Sequence, residues 1–406
     1  MKLSGYKEIV NKARARTLEI LDVGNDELER GLELHKNSIV IDSLVPHGAW
    51  MYNETMLKKT KEMINVGIPG SEIDEKIKEM EDFEVVNDPE TRMAYKDIWK
   101  LSGVTCISET VANHFTCDLY DAFKRSSHSE YKLNTLKDLL IKATCAEDIR
   151  RAKREEKHAI LWNCQNTHGL AGGVDLDKDL EKINLFYALG FRIIQLTYNL
   201  RNAVGDGCLE RYESGLSRFG LKFVERMNEL NMLVDTSHCG YKTTLDAVEH
   251  SKTSVAATHT TCRAIHDHPR GKTDEEIKAI AEKGGYVGIN MIPAFLGGTG
   301  DLNQFLDHID YAADLIGVDR IGIGTDTGHR EPRPKIPRER VWWTGFKPEH
   351  LELGPEMRAD ESSSGSTAWV NWPYYTVGLV SRGYSDQEIQ KIIGGNFLRI
   401  IEKVIG

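Results

Sequence analysis

Several features are missing from this 406-residue chain, and each absence removes a class of function. No run of eighteen apolar residues occurs and no charged, apolar, small-residue leader opens it, so neither a membrane span nor a secretory signal is expected, and the cytoplasm is the default location. A basic excess is missing too: the formal net charge is −10 and the pI about 5.8, against what a phosphate-binding surface needs, so nucleic acid is not an expected partner. The one basic cluster, REPRPKIPRER at 330–340, is broken by three prolines and reads as an exposed loop. The seven cysteines are odd in number and scattered, with no C-x-x-C pair, which fits reduced, packed thiols better than a disulfide framework or a zinc knot. Cys239 and Cys262 lie near histidines, but no positioned base accompanies them, and packing is the better reading. A dinucleotide fingerprint and an internal repeat are also absent.

What is present is ordinary soluble-protein composition, 28% charged and 40% hydrophobic, and one distinctive stretch at 232–270. Twice there, a short β-branched apolar run ends in a small polar residue followed by histidine: LVDTSH at His238 and SVAATH at His259. About one helix separates them, so strand, helix and strand form a unit whose strands are parallel. In parallel α/β folds, ligands sit at the carboxyl ends of strands, where both imidazoles fall. That makes the pair a metal-site or catalytic candidate.

The same alternation runs along the chain. Helical spacing over 1–36 predicts a two-helix N-terminal extension, ahead of a barrel spanning 37–406. SIVID opens a first strand at 38–41. Polar, Lys/Glu-rich residues over about 51–100 predict a helical insertion covering one mouth, and the Pro/Gly/Ser-rich 329–367 a long loop. Further strands are expected at 103–107, HAILWN, FRIIQLT, the two histidine strands, GYVGIN and RIGIG. A charged helix is expected over 136–157, and capping boxes at Thr273/Glu276 and Ser385/Glu388. Eight short apolar strands with helices between them predict a closed eight-stranded parallel β/α (TIM) barrel, in preference to an open doubly wound sheet.

In a barrel, the strands deliver to one mouth Asp42 with His47, Glu109 with His114, Gln165 with His168, Tyr198, His238, His259 with Arg263 and Arg270, and Asp326 with His329. Neutral imidazoles as ligands and a carboxylate to carry protons are what metal-assisted hydrolysis requires.

At these residues the sequence resembles the renal (membrane) dipeptidase family of zinc peptidases, which are TIM barrels. GLSRFGLKFVERMNELNMLVDTSH, SVAATHTTCRAIHDHPRGKTDEEIKAIAEKGGYVGIN, DRIGIGTD and YSDQEIQKIIGGNFLRIIEKV are similar to its corresponding segments. The resemblance implies that His238 and His259 are ligands of one zinc, Arg270 holds the substrate's carboxylate, and Asp326 is the acid/base. It also exposes departures. The family's His-x-Asp after the first strand falls on Leu44 and Pro46, its bridging glutamate on Gln165, and its oxyanion-stabilising histidine on Tyr198. His168 occupies the place of a family histidine beside the bridge and, with Gln165, is a substrate-binding candidate.

Two divalent ions need an anionic bridge to offset their repulsion, so the two-zinc centre is expected not to assemble. One divalent metal, zinc by preference, is expected at His238 and His259, with a third ligand from Asp326, Glu109 or Gln165, and His47 in reach. The expected function is that of a dipeptidase-like metallohydrolase acting on a dipeptide or small amino-acid-derived carboxylate. Two alternatives stay open: an acid/base enzyme, lyase or isomerase, using His238, His259 and Tyr198 on a small carboxylate, and a non-catalytic binding barrel. The family habit of dimerising implies a homodimer.

Overall fold

The computed structural model describes residues 6–112, 119–171, 175–330, 336 and 365–406. Its strands are β1 (Ile41–Val45), β2 (Ala49–Trp50), β3 (Cys106–Ala112), β4 (Leu140–Ala143), β5 (His158–Cys164), β6 (Ile193–Gln195), β7 (Leu233–Asp235), β8 (Val255–Thr260), β9 (Tyr286–Ile289), β10 (Ile321–Ile323) and β11 (His329–Arg330). Eight of them form a parallel path in the order β1, β3, β5, β6, β7, β8, β9, β10.

Side chains and loop amides bring β10 back to β1. Asp42 Oδ1 accepts from Thr325 N at 2.9 Å, Asp42 Oδ2 from Thr325 Oγ1 at 2.6 Å, and Asp326 N donates to Leu44 O at 3.0 Å. Trp369 and Trp372 add their indole N–H groups to Asp42 Oδ2, at 3.1 and 3.3 Å. The architecture is therefore a nearly closed eight-stranded β/α barrel.

Strand pleating sorts the barrel interior into layers, because every second residue points inward. The lowest layer includes Ile41, Cys106, Leu161, Ile193, Leu233 and Tyr286, which cluster with Phe397, Ile401 and Val404 of the helix Asn396–Val404. Two residues further along each strand the layer turns polar: Ser43, Ser108, Asn163, Gln195, Asp235 and Thr258 are all buried. Ser43 donates across the interior to Thr258 O at 2.6 Å. That approach requires Gly288 and Gly324, where a Cβ would meet Thr258 O at 2.1 and 2.0 Å. One further step reaches the mouth.

The eight expected barrel strands all form. The expected helix over 136–157 is instead two elements, β4 and the helix Ala146–Arg154. The apolar run LLIKA is too short for periodicity to separate strand from helix, and β5 decides it by offering an edge: β4 pairs with its first half and β6 with its second. Over 51–100 three helices occur, Glu54–Asn65, Gly70–Asn87 and Pro89–Ser102, the first capped by Asn53 and the third by Asp88. The N-terminal helices are Tyr6–Leu21 and Asn25–Asn37; the second lies so close to Trp372–Ser381 that a Cβ on Gly31 would meet Val377 Cα at 2.7 Å. Both capping boxes form. Apart from 329, 330, 336 and 365–367, the expected long loop lies outside the described residues.

Candidate active site

His238 follows β7 and His259 lies within β8, on adjacent strands, and both are buried. Their Nε2 atoms are 3.0 Å apart. What each ring presents there is fixed on its far side. His238 Nδ1 lies 2.6 Å from Asn199 Oδ1, an atom that only accepts, so Nδ1 carries the hydrogen. His259 Nδ1 lies 2.9 Å from Thr258 Oγ1, whose own hydrogen goes to Asp235 Oδ2 at 2.6 Å. Asp235 also accepts from Ser237 N, Ser237 Oγ and Thr258 N, at 3.0, 2.6 and 3.0 Å. Thr258 is thus an acceptor toward His259, and Nδ1 again carries the hydrogen.

In these tautomers each Nε2 presents a lone pair to the other ring. Lone pairs converging at that distance repel unless a cation lies between them. A proton is disfavoured, since burial, with Arg270 and Lys272 adding repulsion, holds His259 well below its ordinary pKa. Two nitrogens about 2.0–2.1 Å from one tetrahedral ion lie roughly 3.3 Å apart, close to the spacing seen.

Around this pair stand three of the expected residues. Tyr198 stacks on the His238 ring, centroids 4.0 Å apart; burial, with Asp326 adding, pushes its phenol pKa up, so it keeps its proton. Asp326 sits in the left-handed backbone region at φ 56°, accepts from Asn290 Nδ2 at 3.1 Å, and is raised by burial to a pKa of about 6, against the pull of Arg270 and that hydrogen bond. Arg270 is 1% exposed; it donates through Nη1 to Ser237 O at 2.5 Å and through Nη2 to His259 O at 3.2 Å. Its Nε is buried without a hydrogen-bond partner. Gln165 directly follows β5, and its Nε2 is buried and unpartnered as well.

Other candidates go elsewhere. Ser108 and Thr110 bond Asn163 inside the barrel, so Glu109 between them points outward, toward the helices. There it meets His47 Nδ1 at 3.4 Å and Lys132 Nζ at 3.7 Å, while His47 Nε2 meets Glu81 at 2.7 Å and Lys132 meets Asp82 at 3.0 Å. These groups line or border a separate cavity of about 50 Å³ between β3 and the helices Gly70–Asn87 and Leu119–Thr135. Glu109 and His47 are thus partnered away from the histidine pair, a correction to their expected service as extra ligands. His168 is exposed on a turn, and His114 lies outside the described residues. Leu44 is buried and Pro46 half-buried, neither with a donor atom for an ion. Asn199, Asp235 and Asn290 hold the site together and were not singled out in the sequence; Asn199 adjoins Tyr198 and Asp235 lies three residues before His238, whereas Asn290 is 36 residues from Asp326 and carries no local signal.

Against known proteins, the model of the membrane dipeptidase family, peptidase family M19, matches residues 113–333, more than half of the chain. The chain belongs to the membrane dipeptidase family. As a member it is a dipeptidase-like metallohydrolase. An uncharacterized protein in the pqqA 5′ region of Klebsiella pneumoniae is 31% identical over 194 residues, 45% of this chain and 69% of that protein. Dipeptidase verJ of Clonostachys rogersoniana is 26% identical over 309 residues, 74% of this chain and 71% of that one. Among solved structures, an amidohydrolase from Pseudomonas aeruginosa superposes with a TM-score of 0.69 at 27% identity, covering 93% of this chain and 99% of its own. No helix among the described residues is long and apolar enough to cross a membrane.

Proposed function

We propose that this membrane dipeptidase relative hydrolyses a dipeptide or a small amino-acid-derived carboxylate with a single divalent ion, zinc by preference, held by His238 and His259. The observation that carries the reading is the pair of Nε2 lone pairs 3.0 Å apart, each fixed by an Nδ1–H bond behind it. A hydrogen bond at the far nitrogen is how ligating histidines are held to tautomer and orientation. The donor set fits one ion and not two, since Leu44 and Pro46 offer nothing and Gln165 is neutral.

When bound, the ion supplies Lewis acidity at the substrate's scissile carbonyl. The chain's own residues do the rest. Asp326, in reach of ionisation near neutral pH, takes the proton of the attacking water. Arg270 offers its unpartnered Nε–H to the substrate's carboxylate, and Tyr198, kept protonated, donates a hydrogen bond over the histidine pair. In this reading 37–406 is the catalytic unit and 1–36 an appended helical pair.

A second reading keeps the same mouth without hydrolysis, His238, His259 and Tyr198 moving protons on a small carboxylate. It is favoured by one observation: among the described residues no group of three or more His, Cys, Asp or Glu side chains is gathered to hold an ion.

Elemental analysis of protein purified without chelator or added metal separates the two. About one ion per chain, lost in His238→Ala/His259→Ala, with dipeptide cleavage abolished by Asp326→Asn, is expected. A chain that stays metal-free and cleaves no dipeptide or dehydropeptide overturns the hydrolase reading.

A further inference from the structure

We infer that Gln165 is the hydrogen-bond donor for the carbonyl oxygen that gains charge during hydrolysis, an amide acting where the family's pattern has a carboxylate. The inference rests on the single-metal reading above and adds to it a catalytic residue peculiar to this chain. Gln165 is the first residue past β5, at the carboxyl end of that strand and two residues beyond Asn163. Its backbone is held on both sides: its N–H donates to Ala112 O at 3.4 Å, and its carbonyl accepts from Gln195 Nε2 at 2.6 Å. Gln195 also donates to Thr197 O at 2.7 Å, and Thr197 Oγ1 reaches His238 O at 3.5 Å, which links the backbone of Gln165 to that of His238.

Within that frame the side chain is 3% exposed, and its Nε2 has no acceptor. A buried amide N–H without a partner is uncommon, because the bond to water was given up and not replaced. Arg270 Nε is a second buried donor without a partner. Gln195 Oε1 is the buried acceptor left unpartnered beside them, and the two donors, Gln165 Nε2 and Arg270 Nε, suit a ligand that brings oxygen atoms. A carboxylate at Gln165 would repel a developing oxyanion, whereas the amide N–H attracts it.

The step balances with water and peptide alone. Water's oxygen forms a bond to the carbonyl carbon, its proton passes to Asp326, and the carbonyl π pair moves onto the oxygen facing Gln165 Nε2–H. The pair then returns, the C–N bond breaks, and Asp326 delivers its proton to the leaving amine, giving a carboxylic acid and an amine.

The test uses the full chain and a phosphinic dipeptide mimic, whose anionic tetrahedral oxygens imitate the charged state. Binding by calorimetry and metal content by elemental analysis are measured for the wild type, Gln165→Glu and Gln165→Leu. Both variants are expected to bind the mimic about 100-fold more weakly, the scale on which a single oxyanion donor acts, with metal content unchanged and kcat falling more than KM rises. Unaltered metal content serves also as the sign that the site is still folded. Wild-type-like binding in either variant, or a second ion taken up by Gln165→Glu, overturns the assignment. A wild type that holds its ion but ignores the mimic overturns it alone, whereas a wild type without metal removes the single-metal reading and this inference with it.

Discussion

His238 and His259 bring their Nε2 atoms to 3.0 Å of one another, and each ring is held from behind. Asn199 holds the first through Nδ1 at 2.6 Å and Thr258, backed by Asp235, the second at 2.9 Å. Partners arranged in this way keep the two Nε2 atoms facing each other.

Asn199→Leu removes the acceptor behind His238 and lets the ring take the other tautomer. Metal affinity is expected to fall about 10- to 100-fold, the usual effect of deleting such a partner. Asn199→Asp, which keeps an acceptor, should retain binding. Competition with a chromophoric chelator measures both, and undiminished affinity in Asn199→Leu would show that the ring is held by something else.

Arg270→Lys keeps a positive charge but gives up the fork that spans Ser237 O and His259 O. For substrates with a free carboxylate, KM should rise about ten- to a hundredfold, the worth of one charged hydrogen bond. For the corresponding carboxamides it should change little. Equal effects on both substrate forms would mean that Arg270 only braces the loops.

Acid should loosen the fold through buried histidines far from the mouth. His35 lies between Thr376 Oγ1 at 2.8 Å and Ser102 O at 2.9 Å, and burial lowers its pKa to about 4; His158, at 2.6 Å from Val104 O, is likewise lowered by burial to about 4. Unfolded, each ring takes a proton near its ordinary value of 6.5. Between the two values the unfolded chain holds the extra proton, so stability falls as pH drops from about 6.5 toward 4, by a few kcal/mol at most per ring. Urea unfolding at several pH values should show this slope, and His35→Gln should make it shallower.

Lys132 is an ammonium enclosed by Asp82 at 3.0 Å and Glu109 at 3.7 Å, with its side chain 4% exposed. Lys132→Met strands both carboxylates and should cost about 3–5 kcal/mol in urea unfolding. Adding Glu109→Gln and Asp82→Asn should restore part of it. A single variant as stable as the wild type would mean that water, and not Lys132, solvates those carboxylates.

Much of the fold was legible because its signals are local. Apolar runs bounded by glycine and polar turns mark the eight barrel strands, and Thr273/Glu276 and Ser385/Glu388 announce their helices by residues only three apart. β4 was not legible, since Leu140–Ala143 becomes a strand only by pairing with β5. Glu109 was misplaced for a related reason. Its face depends on the pleat's phase, which the bonds from Ser108 and Thr110 to Asn163 reveal and the sequence spacing does not.

The sequence by itself determined the kind of side chains available: two histidines at strand ends, an aspartate after β10, and, at Leu44 and Pro46, no donor atom for an ion. Chemistry at a single residue is inherited from its side chain, so those conclusions need no coordinates. Only the tertiary structure decided that His238 and His259 converge, that each has an oxygen partner behind its Nδ1, and that Gln165 Nε2 and Arg270 Nε are buried without partners. Those properties belong to contacts between groups as far apart in the chain as Asn199 and His238, 39 residues, and they exist only once the barrel has closed.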